Sequence, residues 1–205
     1  GLNDFGVNVI RHNPNNDLLF IGYSNTNIDI IDNQGNIKNL SDIKDKNILG
    51  NKTINDVYFI EELAYVCCGF GIVVVDMNRN EIRDTYIIGE GGSYLCINDI
   101  TLYDDKLYAA TPEGVYFADY HSENLADFSE WHLDRSMIHD KINYNEIESF
   151  NDKLIVNFTE NKYNTDTMFI YNGVKWDYFL KDDNSIKREI RSQSDRLILT
   201  KQYSV

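Results

Sequence analysis

Short hydrophobic runs alternate with polar turns along most of the chain. In its second quarter the runs cover residues 57–60, 64–68 and 72–76, and acidic or glycine-containing turns separate them. Hydrophobic runs of about four to eight residues bounded by turn signals are typical of β-strands, and helical periods are rare in this sequence. The pattern therefore predicts short strands joined by tight turns.

The hydrophobic pattern recurs at a nearly constant interval. Residues 54–57, Ile-Asn-Asp-Val, recur 43 positions later as Ile-Asn-Asp-Ile, and three landmark residues downstream recur at the same offset. A repeat of about forty to fifty residues is typical of propellers and solenoids, and four short strands per repeat make one antiparallel blade. We therefore predict an all-β fold of the β-propeller class. The landmark pairs are Tyr65 and Tyr108, Gly71 and Gly114, and Asp76 and Asp119.

Four blades and part of a fifth are predicted. Residues 1–205 are interpreted as a β-propeller fragment with blades at approximately 7–50, 54–96, 97–143 and 144–187, and a partial blade at 188–205. Because a propeller closes its ring without a long bare edge, two strands in the last unit indicate a piece of a larger propeller or of a longer protein. The start at Gly1 rather than Met leaves open a removed leader or an excised segment.

The charge balance argues against two classes of partner. The chain carries 33 acidic and 19 basic residues, a formal net charge of −14. Binding to nucleic acid or to an anionic lipid surface depends on Lys and Arg, which neutralise phosphate groups. No apolar stretch approaches the roughly 18 residues of a membrane-spanning helix. We expect no nucleic-acid partner and no direct membrane insertion.

No catalytic motif stands out in the sequence. The four histidines accompany no zinc-binding, P-loop or nucleophile-elbow pattern. Cys67, Cys68 and Cys96 lack the spacing of a disulfide framework, and we expect them to be small buried hydrophobic residues. His132 and Asp134 alternate on one predicted strand, and we interpret them as an ordinary surface pair. We therefore predict no enzymatic activity, no bound metal and no cofactor.

Two segments resemble known propeller families. Residues 105–115, Asp-Lys-Leu-Tyr-Ala-Ala-Thr-Pro-Glu-Gly-Val, resemble the two-component regulator propeller repeat, in which a turn leads to an aromatic strand, a Thr and a Gly. The second unit departs from that repeat, with Cys68 at the Thr position. Residues 70–76 and 84–89 resemble the N-terminal propeller of the PorZ family, which belongs to the type IX (Por) secretion system of Bacteroidetes. The strongest resemblance covers residues 54–119.

The resemblance implies a location and a role. It implies an extracytoplasmic protein, at the outer-membrane surface or in the periplasm, that acts as a non-enzymatic binding or scaffold module. The implied partners are other secretion-complex proteins or surface polysaccharide, including lipopolysaccharide. The alternative is the periplasmic glycan-sensing propeller of a hybrid two-component regulator. The part of the full gene downstream of Val205 distinguishes the two, because a regulator continues into a membrane span and a kinase.

Four acidic residues share one position of the repeat. Asp56, Asp99, Glu146 and Glu189 stand at the start of the innermost strand of their blades, so in a propeller they would form an arc around one mouth of the central channel. Carboxylates accept several hydrogen bonds, so the arc could hold a cation or sugar hydroxyls. The long connection 159–166, with Tyr163, should rise on the same face and could cover a ligand.

The acidic arc has two other interpretations. Each carboxylate could instead cap its own tight turn in water, which is the commoner use of such residues. A propeller-type hydrolase or lyase is disfavoured, because the repeats place no paired acid and base beyond the arc; a glycosidic activity lost in Asp99→Asn would revive it.

Overall fold

The computed structural model describes residues 1–48, 50–160, 165–183, 185–193 and 195–203. Antiparallel β-strands dominate these residues, and within them no helix is long and apolar enough to cross a membrane. The helical elements are one turn of α-helix, α1 (Asp42–Asp45), and the 3-10 turns Glu90–Gly92 and Phe128–Glu130. The strands are β1 (Val7–Asn13), β2 (Leu18–Tyr23), β3 (Ile28–Ile31), β4 (Ile37–Leu40), β5 (Ile54–Ile60), β6 (Leu63–Cys68), β7 (Gly71–Asp76), β8 (Glu81–Tyr86), β9 (Asp99–Tyr103), β10 (Lys106–Thr111), β11 (Gly114–Asp119), β12 (His132–Leu133), β13 (Tyr144–Ser149), β14 (Leu154–Glu160), β15 (Thr165–Tyr171), β16 (Trp176–Asp183), β17 (Ser185–Gln193) and β18 (Arg196–Tyr203).

Each sheet is built from consecutive strands. Strands β1–β4, β5–β8, β9–β12 and β13–β16 form four-stranded sheets in chain order, and β17 pairs with β18. Every pairing is antiparallel. A four-stranded antiparallel meander is the structure of a propeller blade. The predicted all-β class, with four blades and two strands of a fifth, is confirmed.

The chain divides into two compact units. The first comprises Gly1–Ile97 with Ala126–Ser129 and contains the sheets β1–β4 and β5–β8. The second comprises Asn98–Leu125 with Glu130–Val205 and contains the sheets that begin with β9, β13 and β17.

The core of the first unit lies between the faces of its two sheets. Phe20 and Ile30 from the first sheet and Ile54 and Val73 from the second are at most 2% exposed and belong to one hydrophobic cluster. All six residues of β7 (Gly71–Asp76) are buried, so this strand is covered on both faces. Burial on both faces explains why its sequence is a continuous hydrophobic run without alternation.

The second unit has a core richer in aromatic side chains. Tyr144 and Phe169 are at most 1% exposed, and their rings meet edge to face with centroids 6.4 Å apart. The packing of aromatic rings in this geometry adds to the free energy gained by burial. Ile155, Met168 and Ile190 form a smaller cluster that joins the fourth sheet to β17 and β18.

One outer strand and one connection differ from the sequence prediction. The outer strand β4 was not predicted, because two of its four side chains are exposed and its pattern is too polar. The predicted connection 159–166 is partly strand, since β14 ends at Glu160 and β15 begins at Thr165. Tyr163, the loop residue expected to cover a ligand, lies outside the described residues.

Candidate functional site

The innermost strands β1, β5, β13 and β17 begin with a similar irregularity, and β9 does not. A β-bulge interrupts the register before the acidic repeat position in β5, β13 and β17, and at the same position in β1. A bulge inserts one residue and redirects the side chains around it. The register shifts lie between Val7 and Val9, Ile54 and Asp56, Tyr144 and Glu146, and Lys187 and Glu189.

The asparagine one residue before the acidic repeat position joins neighbouring repeats. In each case its side-chain amide donates to the backbone carbonyl that precedes the corresponding position of the next repeat, an arrangement we call the asparagine clasp. A buried carbonyl without a partner is costly, so each clasp stabilises the start of an inner strand. The clasps are Asn8 to Ile54 (2.8 Å) and Asn55 to Ile97 (2.7 Å) in the first unit, and Asn98 to Tyr144 (2.7 Å) in the second.

Asp56 is buried in the first unit. It is 6% exposed, and its Oδ1 accepts a hydrogen bond from the backbone N–H of Val57 at 2.7 Å. The guanidinium of Arg11 lies 3.0 Å from the same carboxylate. The carboxylate therefore fixes the start of β5 and neutralises Arg11, rather than standing in water.

Asp99 and Glu146 hold backbone groups of the following repeat in the second unit. Asp99 is 4% exposed and accepts hydrogen bonds from the N–H groups of Ile100 (2.8 Å) and Ile147 (3.0 Å). Glu146 accepts a hydrogen bond from the N–H of Ile190 at 3.1 Å. Hydrogen bonds from backbone N–H groups to carboxylates are charge-assisted, so they are stronger than neutral ones.

Arg191 brings three of the four predicted acids together. Its guanidinium lies 3.3 Å from Glu189, 3.7 Å from Asp99 and 3.8 Å from Glu146. The Arg191 side chain is 26% exposed and that of Glu189 is 35% exposed, so solvent reaches this cluster. The arrangement is a partly exposed set of hydrogen-bonding groups in which one guanidinium lies among three carboxylates, and Asp56 belongs to the first unit instead.

The described residues contain no cluster of His, Cys, Asp or Glu that could hold a metal ion.

The predicted pair of His132 and Asp134 is not formed in the expected way. Asp134 is 8% exposed and accepts hydrogen bonds from Ser136 and from the indole N–H of Trp176, at 3.3 Å. His132 instead meets the ring of Phe117 edge to face. The spacing predicted that both side chains lie on one face of a strand, but β12 ends at Leu133, so Asp134 lies outside it.

The cysteines are structural in character. Cys67 and Cys68 are fully buried, as predicted, whereas Cys96 is half-buried with the Asn55 amide 3.4 Å from its sulfur. Burial raises the pKa of the Cys68 and Cys96 thiols. A raised pKa keeps a thiol protonated and therefore a poor nucleophile.

A buried aspartate in the first sheet was missed by sequence reasoning. Asp29 is fully buried and accepts hydrogen bonds from the N–H of Asn3 (2.9 Å), the hydroxyl of Tyr23 (2.6 Å) and the amide of Asn39 (2.8 Å). Burial opposes ionisation, but these hydrogen bonds outweigh it and lower the pKa of Asp29. Burial, together with Asp29, raises the pKa of Tyr23 to about 12. This network ties the N-terminal residues to the first sheet.

The blades and the bulges of the first strands define the class of the chain. Sequential four-stranded antiparallel sheets, with repeated contacts between their first strands, are those of a β-propeller. Residues 1–132 match the family model described as the type IX secretion system PorZ N-terminal beta-propeller domain. The chain belongs to this family, as the sequence resemblance predicted.

Solved structures share the fold. The chain aligns with PorZ, described as an essential bacterial surface component of the type IX secretion system of Porphyromonas gingivalis, with a TM-score of 0.76 and 22% identity over 91% of this chain and 24% of that one. It aligns with the extracellular domain of a putative hybrid two-component system from B. thetaiotaomicron with a TM-score of 0.65 and 14% identity, over 98% of this chain and 26% of that one. None of the curated proteins matches the chain at a significant level.

The chain spans about a quarter of the length of the bacterial structures it matches. At these identities the structural matches show the fold alone.

Proposed function

We propose that this chain is a non-enzymatic binding or scaffold module of a type IX secretion component that acts outside the cytoplasm. The family match over residues 1–132 is the observation that carries the proposal. The matched bacterial structures are a surface component and an extracellular domain, which supports a location at the outer-membrane surface or in the periplasm. The partners proposed are secretion-complex proteins or surface polysaccharide, including lipopolysaccharide.

The chemistry of the described residues favours binding over catalysis. The acidic residues at the inner-strand starts accept backbone hydrogen bonds or contact arginines, so they are poorly placed to transfer protons to a substrate. Asp56 in the first unit and Asp99, Glu146 and Glu189 in the second remain proposed ligand-contacting residues, as does Tyr163, which lies outside the described residues. A ligand that contacts them would share their carboxylates with Arg11 or Arg191.

The proposed role is tested in the source organism with the full-length gene. Removing this propeller in frame should abolish the surface display of type IX cargo, while the truncated protein is still exported and stable. Normal surface display by a strain that makes the truncated protein would overturn the proposal.

The candidate ligand site is tested separately by a glycan and lipopolysaccharide binding screen. Glu189→Gln is the informative variant, because Glu189 is the most exposed of the three acids around Arg191, and Asp177→Asn is a charge-matched control at an exposed position. Binding that Glu189→Gln weakens and Asp177→Asn leaves intact supports a recognition site at the acidic residues. If both variants bind the ligand equally well, Glu189 does not belong to the recognition site.

A second candidate function is a glycan-sensing propeller of a hybrid two-component regulator. The TM-score of 0.65 over 98% of this chain favours it as the alternative. The gene downstream of Val205 tests it directly, because a membrane span followed by a kinase supports the regulator and further blades with a sorting domain support the secretion component.

A further inference from the structure

A groove in the second unit lies at the far end of the inner strands from the acidic repeat position. Asp99 begins β9 and Tyr103 ends it, and the groove opens beside Tyr103. It has a volume of about 500 Å³, enough to admit a long side chain or a small ligand. Its lining residues, none of them basic, are Leu102, Tyr103, Asp104, Ser149, Phe150, Asn151 and Asp152.

Two tight turns form the rims of the groove. The turn between β9 and β10 contains Asp104 and Asp105, and the turn between β13 and β14 contains Asn151 and Asp152. All four residues have φ between 48° and 56°. Two consecutive residues with positive φ are typical of the type I′ turn, which fixes the strand ends rigidly. The rims are therefore preorganised.

Tyr103 connects the two rims across the floor. Its hydroxyl donates a hydrogen bond to the backbone carbonyl of Asp152 at 3.1 Å. Its ring meets Tyr171 edge to face at 6.3 Å and Tyr108 at 6.2 Å. These contacts hold the ring in place and fix the width of the groove.

Two of the three carboxylates on the rims have no cationic partner among the described residues. Asp104 and Asp152 are exposed and make no ion pair there, whereas the neighbouring Asp105 lies 3.5 Å from His121. The nearby Lys106 is directed over the ring of Phe117, 5.3 Å from its centroid. Burial raises the pKa of Tyr103, and the nearby carboxylate of Asp104 raises it further, with smaller contributions from Tyr171 and Asp152.

We propose that this groove binds the guanidinium of an arginine side chain from a protein partner. A guanidinium is planar, stacks on aromatic rings and donates paired hydrogen bonds to carboxylates, so it matches two rim carboxylates above a tyrosine floor. The net charge of −14 attracts a basic segment at long range. The inference rests on the proposed binding role and specifies one partner chemistry for it.

The test uses the whole chain and a defined probe. The isotope-labelled protein is titrated with acetyl-Gly-Arg-Gly-amide, and amide chemical shifts are followed by NMR. The neutral isostere, with citrulline in place of arginine, controls for the peptide itself. We expect saturable shifts at the groove amides with the arginine peptide and none with the citrulline peptide.

Paired variants separate local recognition from general electrostatics. Asp104→Asn with Asp152→Asn keeps the turns, because Asn accepts positive φ, and should weaken binding about tenfold. Glu61→Gln with Glu62→Gln removes two charges at the corresponding turn of the β5–β6 hairpin and should change binding less than about twofold.

The outcomes are distinct. Shifts scattered over the surface, or an equal effect of both variant pairs, would overturn the groove as an arginine site. If the citrulline peptide binds as tightly as the arginine peptide, the groove recognises a neutral hydrogen-bonding group, and the proposal of a guanidinium site is wrong. In either case the cargo-display test of the propeller is unaffected, so the proposed role fails or survives independently.

Discussion

Replacing Gly114 by Val should destabilise the third sheet by about 4 kcal/mol. Gly114 has φ of 128°, in the region that β-branched residues resist, which costs about 1–3 kcal/mol. A Cβ at this position would also overlap the carbonyl oxygen of Asp140 and Cδ1 of Leu133. Forcing packed neighbours apart costs roughly another 1–3 kcal/mol.

Thermal unfolding followed by circular dichroism measures this effect. For a chain of this size each kcal/mol shifts Tm by about 2–4 °C, so Gly114→Val should lower Tm by about 8–16 °C. Gly35→Val is the matched control, because Gly35 has φ of 84° but no atom within 4 Å of the point that a Cβ would occupy, so it carries the backbone cost alone. An unchanged Tm for Gly114→Val, or an equal loss in Gly35→Val, would refute the steric reasoning.

Three further predictions concern the polar contacts. Asp99→Asn should lower the free energy of unfolding, measured in urea, by about 2–3 kcal/mol, because an NH₂ donor replaces one carboxylate oxygen that accepts a backbone N–H. The exposed Asp177→Asn should leave the free energy of unfolding unchanged. Asn55→Ala should cost about 1 kcal/mol in the same assay by leaving the carbonyl of Ile97 without its clasp, and wild-type stability would contradict this role. Because its pKa is lowered in the folded state, ionised Asp29 contributes stability above its ordinary pKa that is lost as pH falls through the folded pKa. Asp29→Asn should therefore flatten the decline of stability as pH falls below about 4, and an unchanged slope would exclude Asp29 as its source.

The repeat made the middle of the fold predictable. The hydrophobic runs that became β6 and β7 are buried and continuous, so residue type alone located them. The outer strand β4 escaped prediction because edge strands keep exposed polar residues such as Lys38 and Asn39. Packing at the interior imposes a pattern on the sequence, whereas an edge does not.

The candidate site was only half visible in the sequence. Its acidic residues were found because they recur at one repeat position, but the role of the asparagine one residue earlier was not predicted. A bulge depends on how two strands pair, which the sequence of one strand does not show. The hydrogen bond of Asn55 is equally hidden, because its acceptor is a carbonyl 42 residues away. Arg191 was missed for a related reason, since its contact with Asp99 depends on three strands lying side by side.

The asparagine clasp bears on how such a chain can grow in evolution. Each repeat supplies both halves of the device, the amide that reaches forward and the carbonyl that receives the amide of the repeat before it. A tandem duplication of one whole repeat would therefore create a new junction already equipped with matching donor and acceptor. Unequal recombination can therefore change the number of blades without a compensating mutation at the new junction. A duplication whose ends fall inside the first strand would instead separate the asparagine amide from the carbonyl that accepts its hydrogen bond.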